Sequence, residues 1–433
     1  MAEGKTYFCI DMKSFYASVE CAERGLDPFE TCLAVVDASR GKNAICLAIS
    51  PKMKALGIKN RCRISDIPPN VKYIAAMPRM ALYIDYAADI YGVYLKYVAQ
   101  QDIHVYSIDE SFLDVSRYLE LCRTDAVSFA KFLMQEIERV CHIPSTAGVG
   151  TNLYLAKIAL DITAKHEPDH IGVLTEETYC ETLWDHRPIT DFWMISGGTA
   201  KRLERYGVYD MHGITQLPEK LLYSIFGINA ELLIDHAWGR EPCMMADIKR
   251  YQSKSKSVSF SQILPKNYTF EQARTVIKEM ALNGAAELMK RRVIAARVSI
   301  FVGYSLDEIE TTKGSTGLGV TTALASFILE ATLRLYDKTT NRFYSIRRLG
   351  ISFADVHDEI CEGYSLFVDE KAVDRERTRQ QTVLAIRRKY GKNAVLNGVN
   401  YLKEGTQWER NSFIGGHKAG DDKTGPSKDF CAV

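Results

Sequence analysis

Thr6-Tyr-Phe-Cys-Ile-Asp11 and His104-Val-Tyr-Ser-Ile-Asp109-Glu110-Ser-Phe-Leu-Asp-Val115 are the stretches on which the fold turns. The first reads as a strand that ends in a carboxylate, the second as two strands joined at an Asp-Glu turn. Laid side by side, these strands bring Asp11, Asp109 and Glu110 to one sheet edge. Such a cluster repels itself unless divalent cations neutralise it, and hard oxygen ligands suit Mg²⁺ or Mn²⁺. Two ions roughly 3.5–4 Å apart stabilise both the attacking and the leaving oxygen of an in-line phosphoryl displacement.

Working outward, Asp11-Met-Lys-Ser-Phe-Tyr-Ala-Ser-Val-Glu20 and Tyr106-Ser-Ile-Asp-Glu-Ser-Phe-Leu-Asp114 are followed by Ala147-Gly-Val-Gly-Thr-Asn152 and Leu155-Ala-Lys-Ile-Ala159. Ile346-Arg-Arg-Leu-Gly-Ile-Ser-Phe353 comes later. Ser-Ile-Asp-Glu alone recurs by chance, but these blocks, in this order over about residues 5–355, resemble the Y-family (translesion) DNA polymerases. Within that family the chain is most similar to the polymerase V catalytic-subunit group and its Gram-positive and plasmid-borne relatives. The resemblance implies an α+β multidomain, right-hand polymerase: a ferredoxin-like palm, small fingers, a helical thumb with a helix-hairpin-helix, and an α/β little finger. The expected boundaries are 1–23 and 78–187 for the palm, 24–77 for the fingers and 188–244 for the thumb. A linker at 245–251, the little finger at 252–356 and a C-terminal tail at 357–433 complete the expected order.

Composition agrees with an intracellular protein of several domains. At 433 residues, 46% hydrophobic and 25% charged, the chain is long enough for about two to four cores. Its eleven cysteines are scattered, without a C-x-x-C pair or a zinc-spaced His cluster, which points to reduced thiols. The N-terminus runs straight into a strand and no apolar run reaches bilayer length, so the expectation is a cytoplasmic protein with no membrane partner. Net charge is +1, but Lys249 to Arg348 holds 17 Lys/Arg against 8 Asp/Glu, leaving −8 for the remainder. One basic module on an acidic body suits a nucleic-acid grip or, equally, a solvated basic face.

Local patterns place the elements. Thr6–Asp11, Cys32–Asp37 and Ala44–Ser50 read as strands, Ala126–Val140 and Leu153–Lys165 as helices. Pro51 to Gly57 reads as a short helix with proline at its start and glycine at its stop. Ile195 to Leu203, with Tyr206-Gly-Val-Tyr209, resembles a helix-hairpin-helix, in which Gly197 and Gly198 let backbone N–H groups approach a phosphate. Ser196 stands where that motif usually opens with glycine. Met245–Tyr251 reads as a polar connector. After it come a strand (Lys256–Leu264), a helix (Thr269–Arg292), a strand (Ala295–Tyr304), a Gly-rich turn, a helix (Ala325–Tyr336) and a strand (Tyr344–Phe353). Beyond Val356 a tail is expected, with a charged helix at Lys371–Tyr390 and disorder from Gly415.

The resemblance assigns roles residue by residue. Asp11, Asp109 and Glu110 would hold two Mg²⁺ ions (or Mn²⁺), with the Met12 carbonyl as a further oxygen. Glu110 is either a ligand or a neighbour of the primer-side ion, and Asp114 is structural. Ser107 either hydrogen-bonds near the site or faces solvent. Tyr16 would lie under the sugar of the incoming dNTP as the steric gate, the alternative being that Phe15 or Tyr16 packs in the core. Lys13, Ser14, Phe15 and Tyr16 would present backbone N–H groups to the triphosphate, joined by Lys54 and Lys165. Lys165 stands one residue further from Lys157 than in polymerase IV-like relatives, and Ala48 and Pro51 replace a Thr and a Tyr of theirs. Strand hydroxyls with Lys254, Lys256, Arg347 and Arg348 would track phosphates of the primer-template DNA without sequence preference. Gly363-Tyr-Ser-Leu-Phe367 resembles a sliding-clamp peptide lacking its opening glutamine, with Leu366 and Phe367 as its anchors, against local packing. Accessory mutagenesis proteins and damage-induced expression are further family expectations. Two other readings stay open: a nucleotidyl cyclase on the same carboxylates, and a noncatalytic DNA-binding member.

Overall fold

The computed structural model describes residues 4–252, 257–306, 308–359 and 369–420. Two compact units divide the chain, the first running to Gln252 and the second ending at Ala419. In chain order the strands of the first are β1 (Tyr7–Met12), β2 (Leu33–Val35), β3 (Ala48–Ile49) and β4 (Ile74–Ala76). They continue with β5 (Ile103–Val105), β6 (Glu110–Asp114), β7 (Ser145–Gly150) and β8 (Ile171–Leu174). Five of them form one sheet in the order β5-β6-β1-β7-β8, with β1 antiparallel to both its neighbours.

Alternation along β1 sorts its side chains between two layers. Phe8 meets Phe129 of the helix Ala126–Cys141 on one face. Tyr7 and Cys9 pack with Phe112, Leu153, Ala156 and Leu160 on the other. The helix Leu153–Asp161 lies almost on the backbone of β7, and glycine makes that possible. A Cβ at Gly148 would stand 2.0 Å from the Ala156 carbonyl oxygen, and one at Gly150 would stand 2.2 Å from its nitrogen. Asn152 then starts the helix, its side-chain oxygen accepting from the Leu155 N–H at 2.8 Å. The Gly-Val-Gly-Thr-Asn run is thus a close-packing device followed by a cap.

Three helices of the first unit bear directly on the site: α1 (Phe15–Ala22), α2 (Pro51–Ala55) and α3 (Met80–Leu95). The small sheet β3-β2-β4 carries α2, whose start is set by Pro51 and by the buried Ser50 hydroxyl, which accepts from the Met53 N–H. Its own core gathers Ala34, Val36, Cys46, Ile49, Met53 and Cys62. Further on, the helix Gly197–Glu204 opens on Ser196, whose hydroxyl accepts from the Thr199 N–H. The segment expected as a polar connector is mostly helical, Met245–Arg250. Met245 is buried beside Tyr7 and Leu153, and Lys249 Nζ donates to the Ile103 carbonyl, so this segment is packed rather than free.

The second unit holds β9 (Val258–Tyr268), β10 (Val293–Tyr304), β11 (Thr312–Thr322) and β12 (Ile346–Asp358), ordered β11-β10-β12-β9. The helices Phe270–Lys290 and Ala325–Thr339 cover one face, where Ile277, Leu288, Val298, Val302, Leu349 and Phe353 form the core. Each such side chain contributes roughly 1.5–3 kcal/mol on burial.

Three expectations need correction here. The Gly-rich stretch after Tyr304, expected as a turn, contains the eleven-residue edge strand β11. Its alternation is hidden because the inward positions are small where helix side chains crowd in: a Cβ at Gly314 would stand 2.9 Å from Leu335 Cδ1. Beyond Val356 the described residues 369–420 are packed rather than a loose tail. The helix Glu370–Tyr390 caps the helix Ala325–Thr339 from outside, Glu376 accepting from the Ser326 N–H and hydroxyl, and Gln380 from the Ala325 N–H. Disorder from Gly415 is also wrong as far as residue 420. Strands β13 (Phe413–Ile414) and β14 (His417–Lys418) pair as a hairpin around Gly415 and Gly416, both at positive φ.

Candidate active site

β1 delivers Asp11 to the sheet edge, in register with Glu110 on one side and Thr146 on the other. The turn between β5 and β6 is held tightly. Tyr106 and Ser107 N–H groups both donate to the Glu110 carbonyl, and the Met12 N–H donates to the Asp109 carbonyl at 3.0 Å. Ser107 does face the site: its hydroxyl donates to Asp109 Oδ1 at 2.6 Å. Burial first, then the charges of Asp109 and Glu110, push the Asp11 carboxyl up to about 8, with Lys157 opposing. A half-buried carboxylate so poorly compensated is a fitting ligand for a divalent cation, and the donors here are hard oxygens.

Glu110 is turned differently from the expectation of three converging carboxylates. It is buried, with Lys157 Nζ at 2.9 Å from Oε1 and the Cys9 thiol donating to the same oxygen at 3.0 Å. Lys157 also reaches Asp161 at 3.0 Å. Cys9, Asp11 and Glu110 share one face of the sheet, and a lysine from the helix packed on that face claims the glutamate. Accordingly, among the described residues no three His, Cys, Asp or Glu side chains form a set able to hold an ion. Asp11 and Asp109 form no ion pair with a cation among the described residues, and Glu110 is their neighbour across β1 and β6. Lys157 entered the sequence reading only as a spacing mark; its burial is visible only once its helix lies on β1. Asp114 is structural, accepting from the Ser116 N–H and hydroxyl.

Cations lie across from the carboxylates. Burial and the charge of Lys54 push Lys13 down to about 8. Burial and the charge of Lys165 lower Lys54 as well, while Asp11 pulls it back. The structure therefore brings Lys13, Lys54 and Lys165 together, and none forms an ion pair among the described residues. Beside them, Ser14 adopts a left-handed conformation at φ 50° and starts α1 without capping it. The Ser14 hydroxyl is buried with no partner among the described residues. An uncapped helix start, an orphan hydroxyl and a chain of neighbouring ammonium groups, Lys13 beside Lys54 and Lys54 beside Lys165, together suit a polyphosphate.

Of the two aromatic candidates, Phe15 lies in the core and Tyr16 is half-buried. Burial and the charge of nearby Asp109 raise the Tyr16 phenol, and Arg61 opposes that shift. The ring stacks on Tyr83 of α3, a residue that no local pattern singles out. A cleft of about 450 Å³ is lined by Met12, Ile84, Ala88, Tyr91, Ser107 and Asp109.

Other expected contacts fall elsewhere. Gly197 and Gly198 form the exposed first turn of their helix, with open space around the Gly197 Cα. In the second unit the sheet face away from the helices carries a row of serines, one from each strand: Ser315, Ser299, Ser352 and Ser259 stand in register. Arg348 is exposed on that face, opposite Ile263, whereas Arg347 is half-buried at a register shift. Lys254, Lys256, Leu366 and Phe367 lie outside the described residues.

Comparison with known proteins fits this geometry. Residues 10–161 match the impB/mucB/samB family and residues 255–363 match that family's C-terminal domain. The chain is 32% identical to the putative UV-damage repair protein UvrX of Bacillus subtilis (strain 168), over 96% of this chain and 98% of that protein. It is 27% identical to DNA polymerase IV 2 of the same strain, over 96% and 100%. Among solved structures, a Y-family DNA polymerase chimera of Dbh and Dpo4 superposes with a TM-score of 0.62 over 82% of this chain and 99% of its own. At 20% identity that likeness speaks for the fold alone.

Proposed function

Because the chain belongs to the impB/mucB/samB family, and with it to the Y-family translesion polymerases, we propose that it extends a DNA primer on a damaged or undamaged template. The observation that carries this reading is one juxtaposition: Asp11 and Asp109 at the end of adjoining strands, with Lys54 beside Asp11, Lys13 and Lys165 beside Lys54, and Tyr16 beside Asp109.

The family implies a divalent metal, and we assign Mg²⁺ to Asp11 and Asp109, with the Met12 carbonyl completing the protein's share. When bound, the metal would lower the charge on the reacting phosphate and favour ionisation of the primer hydroxyl. The residues supply the rest. Lys13, Lys54 and Lys165 hold the triphosphate of a dNTP, helped by the Ser14 hydroxyl and the first N–H groups of α1. Tyr16 lies beneath the sugar and excludes a 2′-hydroxyl by contact. Ser107 fixes the rotamer of Asp109, and Lys157 pairs with Glu110 and holds it aimed inward. The cleft beside Asp109 offers room for the primer end. On the second unit, the serine row with Arg348 gives hydroxyl and cationic contacts to a DNA backbone, which carry no sequence information. A cytoplasmic place of work, a sliding clamp bound through Leu366 and Phe367, and accessory mutagenesis proteins follow from the family pattern. No described helix is long and apolar enough to cross a membrane.

Primer extension on an undamaged template with Mg²⁺ and single dNTPs or rNTPs tests the reading. Template-directed dNTP addition that Asp109→Ala abolishes is expected. Extension by Asp109→Ala at the wild-type rate would overturn the site.

A further inference from the structure

From Arg387 to Lys418 the chain carries seven Lys or Arg against two Glu. This segment is anchored from within. Glu279, 1% exposed on the helix Phe270–Lys290, accepts from Asn400 Nδ2 at 2.8 Å, the Thr406 N–H at 2.7 Å and the Gln407 N–H at 3.3 Å. Asn393 ties the next loop to the same frame, donating to the Trp408 carbonyl at 3.3 Å and accepting from Asn411 at 2.7 Å. On this fixed frame two large rings are left in water: Tyr401 is 64% and Trp408 53% exposed. They meet edge to face at 5.7 Å.

A segment held by a buried carboxylate has ample means to hide two aromatic rings, yet it displays them. Their neighbours say what for. Lys392 adjoins Asn393, Lys403 follows two residues after Tyr401, and both are exposed with no ion pair among the described residues. Around the rings the chain offers chiefly Asn, Gly and Lys, with Leu402, 52% exposed, as the aliphatic side chain beside Tyr401. Rigid aromatic faces beside unpaired cations form a stacking platform, which suits bases and phosphates together.

We propose that this surface binds single-stranded nucleic acid, with bases on Tyr401 and Trp408 and phosphates on Lys392 and Lys403. The binding needs neither a nucleotide nor a metal, so it stands or falls apart from the polymerase reading. It gives the chain a hold on unpaired template separate from the backbone contacts of the open serine face.

The test uses the full chain and a labelled homothymidine oligonucleotide, without Mg²⁺ or dNTP. Trp408→Ala with Tyr401→Ala should weaken binding by about tenfold or more, as expected for lost stacking. Trp408→Phe, which keeps an aromatic face, should stay within about threefold of wild type. Lys392→Glu with Lys403→Glu should weaken binding and flatten its dependence on salt. Affinity for blunt duplex should change little in the aromatic variants, and their unfolding temperature should match wild type. Unchanged oligonucleotide affinity in the double alanine variant would overturn the proposal and leave the platform to a protein partner. An equal loss for duplex and single strand would overturn it as well.

Discussion

Tyr16 stacks on Tyr83 with ring centroids 4.7 Å apart and planes 29° from parallel, and the Tyr83 hydroxyl donates to the wholly buried Glu20 at 2.7 Å. Glu20 is gripped in turn by Arg79, through two nitrogens at 2.9 and 2.7 Å, and by Arg24. The proposed sugar gate therefore rests on a ring whose position is set by a buried ion pair. A bidentate guanidinium is well suited to hold it.

Sugar selection should depend on that support. Tyr16→Ala is expected to raise rNTP use most. Tyr83→Leu, which removes the stacking partner, should raise the rNTP-to-dNTP ratio of kcat/KM by about tenfold, since a displaced ring excludes less. Tyr83→Phe keeps the ring and should leave the ratio near wild type. It should still cost about 1–3 kcal/mol of stability, because Glu20 loses a buried donor. Single-nucleotide kinetics with paired dNTP and rNTP would decide it; equal selectivity in Tyr83→Leu and wild type would sink the support role.

Metal binding should stabilise the fold through Asp11 and Asp109. A ligand that binds only the folded chain raises its apparent stability by mass action. Thermal unfolding with and without Mg²⁺ should show an upward shift in wild type that Asp11→Asn and Asp109→Asn each diminish. Glu110→Gln should diminish it less, since that carboxylate already pairs with Lys157. An identical Mg²⁺ response in all four proteins would count against the pair.

Gly148→Ala is expected to prevent folding or to cost more than about 4 kcal/mol. The added carbon would meet the Ala156 carbonyl at 2.0 Å and the Leu160 nitrogen at 2.3 Å, and neither is a flexible side-chain end. Gly197→Ala, in open space, should unfold at the wild-type temperature. Circular dichroism melts of the two variants compare the sites directly.

Glu279→Ala should loosen the C-terminal segment before the rest of the second unit. It removes the acceptor for Asn400, Thr406 and Gln407, at a cost of about 2–4 kcal/mol. Limited proteolysis should then cut between about residues 391 and 412 faster than in wild type. The same cleavage rate in both proteins would show that the carboxylate does not hold the segment.

Thiol labelling should separate the described cysteines by burial. Cys122 is exposed, while burial pushes Cys21 and Cys141 up to about 11. Burial, followed by the neighbouring Cys62, takes Cys46 to about 12. Because the thiolate is the reactive form, iodoacetamide at neutral pH should modify Cys122 first. The buried thiols should react only on unfolding, as peptide mass mapping over time would record.

Some of this was local and therefore legible. The strand ending at Asp11, the Asp-Glu turn and the glycines before Asn152 owe their conformations to short-range alternation, turn chemistry and capping, so the chain announces them in order. β11 was not legible, because an edge strand with one open face is free to use Gly, Ser and Thr, and its pattern looks like a turn. The segment beyond Val356 read as a tail because its anchor, Glu279, lies more than a hundred residues earlier.

The carboxylate at 110 shows the division most plainly. Its place at the sheet edge is set by the sequence around it, whereas the direction of its oxygens is set by Lys157 arriving from another helix. The same holds for Tyr83 behind Tyr16 and for four serines from four strands standing in one row. By itself the sequence determined the family, the order of elements and the residue types that chemistry requires, because those depend on neighbours along the chain. Which side chain faces which, and so which carboxylates stand clear of a lysine and which ring backs Tyr16, was decided only by packing and register between distant segments.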